Sequence, residues 1–107
     1  MAVYDSSIYV DALVGVGDWG SEARAELHRC AVLEVPSIFA AEVVSALRAL
    51  VIRSELSLIR AMAAVEQVRE TRTIEYPFEP FVRRAWELRD NQTVYDAWYV
   101  ALAEWLQ

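Results

Sequence analysis

Residues 31–53 read AVLEVPSIFAAEVVSALRALVIR. The stretch changes character at its proline. Ala31-Val32-Leu33-Glu34-Val35 is short and mostly apolar, and Pro36 stops it, which predicts a buried strand. Ser37 then stands where a helix cap belongs, opening a helix to about Arg53. Ile38, Phe39, Val43, Val44, Ala46, Leu47, Leu50 and Val51 make that helix apolar nearly all round. Such a helix is expected to meet protein on most sides. Glu42 is its only acid, on a stripe with Ile38, Phe39, Ser45 and Ala46.

The same alternation extends outward in both directions. Ala2-Val3-Tyr4 reads as a short strand, and Ser6 or Ser7 opens a helix through Val14. Residues 14–20, VGVGDWG, hold all 3 glycines and read as a loop. A polar helix follows from Ser21 to near Arg29. Downstream, Ser57 caps a helix carrying Leu58, Ala61, Met62, Val65 and Val68 at helical spacing. Thr71 to Tyr76 alternates like a strand and ends at Pro77. Pro80 suits the first turn of a helix expected to bury Phe81, Val82, Ala85, Trp86 and Leu88. Arg89 to Gln92 is a polar loop, and Thr93 starts the last helix. Strands separated by helices imply right-handed crossovers, a parallel sheet and helices on both faces. The expectation is one α/β domain over residues 1–107, with ligands beyond the carboxyl ends of the strands.

Composition excludes several classes. No apolar run approaches the ~20 residues that span a bilayer, because Arg48, Arg53 and Arg60 interrupt the longest. The acid at position 5 and the lack of a basic start argue against a signal peptide. A single cysteine, Cys30, cannot form an internal disulfide, which suits a reducing cytoplasm. The net charge is −6. Such a chain has no long-range attraction for nucleic acid, so phosphate contacts need a local arginine cluster or a bridging cation. No Ser/His/Asp or Cys/His arrangement offers itself; the lone His28 lies on a polar helix.

Three acids occupy places where a solvated charge is not expected. Asp5 directly follows the first strand. Glu42 lies in the apolar helix after the second. Asp96 sits in the first turn of a final helix whose next residues, Ala97, Trp98, Tyr99 and Val100, are apolar or aromatic. Gathering carboxylates costs free energy, because like charges oppose one another's ionisation. A divalent cation removes that cost, and oxygen ligands without histidine suit Mg²⁺ or Mn²⁺. Each acid also has a plainer role open to it. Asp5 has the position to cap the helix at Ser6, Asp96 stands at capping-box spacing from Thr93, and Glu42 has arginines available for a salt bridge.

Four stretches, taken in order, resemble one family. They are VYDSSIYVDAL from residue 3, VPSIFAAEVVSALRALVIRSELS from residue 35, YPFEPFVRRAWELRDNQT from residue 76 and YDAWYVALAEWL from residue 95. The set resembles the PIN-domain family, and within it the VapC toxins of bacterial toxin–antitoxin pairs. The resemblance implies a three-layer α/β/α sandwich with a central parallel sheet and a Mg²⁺- or Mn²⁺-dependent ribonuclease. It places Asp5, Glu42 and Asp96 in the acidic cluster that holds the metal. Ser6 resembles the hydroxyl residue beside the first acid. Asn91 and Thr93 are candidates to line the same cleft, with a loop residue and a helix cap as the plainer assignments. Asp90 is a further candidate, or a solvated loop acid. The resemblance also implies a VapB-type antitoxin as partner and RNA as substrate.

The sequence departs from that family at its end. Such toxins continue after the last helix into a strand carrying a fourth acid, whereas this chain stops at Gln107. Lacking that strand, it is expected to have an open sheet edge, weakened metal binding, reduced cleavage and a tendency to form a homodimer or higher oligomer. The helices 37–53 and 58–68 offer a groove for an amphipathic partner helix. Two other classes stay open: a catalytically inactive PIN-like binding module, and a metal-dependent nuclease acting on DNA.

Overall fold

A computed structural model describes residues 6–15, 17–28 and 32–107. The expected first strand, Ala2-Val3-Tyr4, and Asp5 lie outside the described residues. In chain order the elements are α1 (Ser6–Val14), α2 (Gly17–His28), β1 (Leu33–Pro36), α3 (Phe39–Ile52), α4 (Leu58–Glu70), β2 (Thr73–Tyr76), a 3₁₀ turn (Glu79–Phe81), α5 (Val82–Glu87) and α6 (Val94–Trp105). β1 and β2 pair in parallel, with Leu33 opposite Thr73 and Pro36 opposite Tyr76. The α/β class with a parallel sheet is therefore as the alternation predicts.

The strand period of two separates the core into two layers. Leu33 and Val35 pack with Tyr9 and Val10 of α1, Phe39, Val43 and Leu47 of α3, and Ala61 and Ala64 of α4. Tyr76 joins the other cluster, with Ile38, Phe78, Phe81 and the α6 residues Trp98, Ala101 and Leu102. Edge-to-face rings stitch each layer: Tyr9 on Phe39 at 5.2 Å in the first, Phe78 on Trp98 at 5.1 Å in the second. Arg84 grips Glu104 with two hydrogen bonds of 2.7 and 2.9 Å, tying α5 to α6. That guanidinium holds the Glu104 carboxyl below its ordinary value.

Several local expectations are corrected. Ser37 does not cap α3. Its backbone N–H donates to the Tyr76 carbonyl at 3.0 Å, so the ladder still holds the chain there and the helix begins two residues later. The N-terminal position falls to Ile38, without a side-chain cap. The glycine-rich stretch is not an open loop, since α2 already begins at Gly17. A side chain on Gly15 would collide with the Asp11 carbonyl, and one on Gly20 with the Gly15 carbonyl. The glycines let α1 and α2 approach closely at their elbow. From the 3₁₀ turn into the short α5 only one stripe reaches the core: Phe81 and Ala85 are buried, while Val82 and Trp86 are exposed. Likewise α4 buries Ala61 and Ala64, whereas Leu58 and Met62 stand out from the surface. By contrast Ser57 caps α4 as expected, accepting from the Arg60 N–H at 3.2 Å.

The turn after α3 contains a strained residue. Ser54 has φ 60°, left-handed backbone that favours glycine. It closes the helix by donating to the Val51 carbonyl at 3.0 Å, while Glu55 reaches back to Leu50 at 2.9 Å. Ser54→Gly is expected to raise stability by about 1 kcal/mol, read from urea denaturation.

Candidate metal centre

The first turn of α3 carries Glu42, whose N–H donates to the Ile38 carbonyl at 3.0 Å. The residue is half-buried. Its Oε1 accepts a hydrogen bond from the Tyr99 hydroxyl at 2.6 Å. Tyr99 belongs to α6, so the bond joins the two helices that bear Glu42 and Asp96. Among the described residues no arginine pairs with Glu42. The arginines near it in sequence are engaged elsewhere or point out: Arg53 pairs with Glu55 at 3.2 Å, Arg60 donates to the Val14 carbonyl at 3.0 Å, and Arg48 is exposed.

Asp96 lies in the first turn of α6, three residues before Tyr99 and so on the same side of the helix. Three residues of helix rise about 4.5 Å. The Tyr99–Glu42 bond thus ties α6 to the first turn of α3, while no described contact joins the Asp96 side chain to Glu42. Thr93 caps α6, accepting from the Asp96 N–H at 3.1 Å. The reciprocal half of a capping box is not made: among the described residues the Asp96 carboxylate has no hydrogen bond or ion pair. The cap uses the backbone of Asp96 and leaves its charge exposed.

Ser6, the first residue of α1, lines a cleft of about 330 Å³ with Ser7, Val10, Asp11, Ala46, Ala49, Leu50 and Arg53. Ala46 is one helical turn beyond Glu42, so the start of α1 lies against the α3 stripe that carries the acid. Asp5, which precedes Ser6, lies outside the described residues. Asp90 and Asn91 are exposed in the turn between α5 and α6, where the Asn91 N–H donates to the Leu88 carbonyl at 3.1 Å. No described contact brings either to Glu42. Among the described residues, no three His, Cys, Asp or Glu side chains gather as a metal cluster.

Tyr99 is the participant that reading the sequence missed. It stood among the apolar and aromatic neighbours of Asp96. Its signal was its spacing, since a hydroxyl three residues after an acid shares that acid's face. Glu34 was also passed over. It is buried, and its Oε1 accepts from the Tyr76 hydroxyl at 2.5 Å. That bond holds the Tyr76 phenol above its ordinary value.

No family model matches the chain. Among curated proteins, Ribonuclease VapC1 of Mycobacterium tuberculosis is 38% identical over 102 residues, covering 94% of this chain and 76% of the relative. VapC ribonuclease Mb0985 of Mycobacterium bovis is 37% identical over 104 residues, covering 97% and 78%. Ribonuclease VapC12 of M. tuberculosis is 33% identical over 106 residues, covering 99% and 81%.

The half-made capping box separates two roles at the start of α6. Thr93→Ala is expected to cost about 1 kcal/mol of stability through loss of the cap. Asp96→Asn, which keeps the capped N–H, is expected to cost less, and urea denaturation of the two variants compares them.

Proposed function

Because the chain belongs to the VapC family of PIN-domain ribonucleases, we propose that it is a cytoplasmic, metal-dependent endoribonuclease toxin, held in check by a VapB-type antitoxin. The observation that carries the metal reading is the state of Glu42. A half-buried carboxylate takes one neutral hydrogen-bond donor, from the helix that carries Asp96, and no arginine among the described residues.

The donors suit a hard divalent cation. Glu42 and Asp96 offer carboxylate oxygens, and the chain's one histidine and one cysteine stand apart from them in sequence. Mg²⁺ or Mn²⁺ accepts such oxygens. Glu42, Asp96 and, on the strength of the family resemblance, Asp5 are the residues we assign to hold it. When bound, the ion supplies a water of lowered pKa and a positive charge against the phosphoryl oxygens. Ser6 at the head of α1, in the cleft that reaches Ala46 one turn beyond Glu42, is assigned a supporting hydroxyl on the strength of the family resemblance. Asn91 and Asp90, exposed in the turn before α6, are assigned a supporting place on the strength of the family resemblance alone. The acidic rim repels an RNA phosphate until a cation is present, as expected for a chain of charge −6.

For the antitoxin we assign the groove between α3 and α4. It measures about 480 Å³ and is lined by Val44, Leu47, Val51, Leu58, Met62 and Val65, with Arg48 and Glu66 also on it. An amphipathic helix with apolar residues at i, i+3 or i+4, and i+7 matches such a lining. The same reading explains why the apolar stripe of α4 stands out from its own core. Self-association, expected from the sequence, belongs to this reading too.

Two experiments test it. Calorimetry with Mn²⁺ is expected to show binding that disappears in Glu42→Gln and in Asp5→Asn/Asp96→Asn; no binding by the unaltered protein would overturn the metal reading. With Mn²⁺ the protein is expected to cut single-stranded RNA and not DNA. Each acid variant should lose about 100-fold or more, the scale of removing one electrostatic stabiliser. A protein that binds the ion and cuts nothing would favour a binding module instead. Separately, Met62→Glu is expected to abolish co-purification with the VapB-type antitoxin while leaving Mn²⁺ binding unchanged. Retained co-purification would move the docking surface elsewhere.

A further inference from the structure

Tyr99 does something that its place in the core does not require. Its ring is 8% exposed and packs with the cluster that holds Tyr9, Phe39 and Val43. Those neighbours fix the ring, which has only two rotatable side-chain bonds. The hydroxyl emerges from that cluster at Glu42 and donates at 2.6 Å. This is the short distance of a hydrogen bond to a charged oxygen. The phenol is therefore a rigid arm, anchored on α6 and ending on the acid of α3.

The bond has three physical consequences for Glu42. It offsets part of the desolvation of a half-buried charge. It stops the carboxylate from sampling rotamers that its flexible side chain otherwise allows. It also occupies only Oε1, so Oε2 has no described partner. A neutral phenol brings no positive charge, so the negative charge remains available to a cation. An arginine in the same place would stabilise the carboxylate too, but it would neutralise the position.

We infer that Tyr99 is a positioning residue for the cation: through its hydroxyl it holds the Glu42 carboxylate toward the Asp96 face of α6, ready to accept the ion. The inference rests on the metal reading proposed above, and it adds a residue that touches the ligand rather than the metal. A ligand oriented in advance binds with less loss of conformational freedom, and losing such an outer partner typically weakens metal affinity about 10- to 100-fold. Tyr99 also spans the two helices that carry Glu42 and Asp96, so it sets their separation as well as one carboxylate's direction.

The test is Mn²⁺ titration of Tyr99→Phe, read by calorimetry and by the spin-resonance signal of free Mn²⁺. The variant keeps the ring and removes only the donor. The expected result is an affinity about 10- to 100-fold weaker at unchanged stoichiometry. RNA cleavage, where measurable, should fall at low Mn²⁺ and recover as Mn²⁺ is raised, a split that a packing defect would not give. Tyr9→Phe is the control. It removes a phenol from the same cluster, one bonded to Thr71 rather than to an acid, and should leave Mn²⁺ affinity unchanged. Should Tyr99→Phe fail to fold, Glu42→Gln/Tyr99→Phe decides: folding restored by removing the charge supports the proposal, and no restoration overturns it. If the unaltered protein binds Mn²⁺ and Glu42→Gln does not, while Tyr99→Phe binds as tightly as the unaltered protein, the positioning role is overturned and the metal reading stands. If the unaltered protein binds no Mn²⁺, the metal reading falls, and this inference with it.

Discussion

The parallel pairing of β1 with β2 is the constraint from which the rest of the described arrangement follows. Parallel strands need a crossover, and α3 and α4 supply it. The pairing gives the sheet two faces, with Leu33 and Val35 in one core layer and Tyr76 in the other. The ladder even reaches past the strand, through the Ser37 N–H on the Tyr76 carbonyl. That last bond decides where α3 can start. Because α3 starts there, Glu42 falls in its first turn, near the carboxyl end of β1. The position of the acid is thus a product of backbone geometry before any side-chain chemistry acts.

The second constraint is electrostatic. A helix otherwise apolar from Phe39 to Val44 places a carboxylate half out of water, and the free-energy cost of that must be met by some partner. The plainest partner, an arginine, is absent among the described residues although α3 itself carries Arg48 and the turn after it Arg53. Arg53 turns to Glu55 instead. The first turn of a helix offers some relief, since its positive dipole end faces the acid. Among the described residues further relief comes from α6, whose Tyr99 packs in the first core layer and reaches Glu42.

Much of the fold was legible because periodicity reports burial. The alternation before Pro77 and the caps at Ser57 and Thr93 each encode a local rule that the structure obeys, whereas the all-round apolar α3 buries only the face of Phe39, Val43 and Leu47 and leaves Val44 and Ile52 exposed. The failures are places where a longer-range contact overrode the local rule. Ser37 looked like a cap, but its N–H belonged to the ladder. The glycines looked like a loop, but they serve a close approach of two helices. Leu58, Met62 and Trp86 looked like core at helical spacing, yet spacing says only which residues share a face, not whether that face is covered. Of the candidate centre, Glu42 stood out because an acid in an apolar helix is conspicuous. Tyr99 did not, because a tyrosine among apolar neighbours is ordinary. Its role depends on a contact across 57 residues of chain that no local pattern encodes.

The choice of phenol over guanidinium also bears on how an acidic protein approaches a polyanion. A chain of charge −6 that neutralised its own rim with arginine would keep one obstacle, its net charge, and lose the means of overcoming it. Holding Glu42 with a neutral donor keeps the rim negative and ordered at once. Under the metal reading proposed above, a divalent ion would gain a site with full charge and little reorganisation, and would in turn supply the local positive potential that the protein lacks. The hydroxyl of Tyr99 and the bare carboxylate of Asp96 are two expressions of that logic: one acid is oriented without being neutralised, and the other is left unspent by the cap that sits beside it.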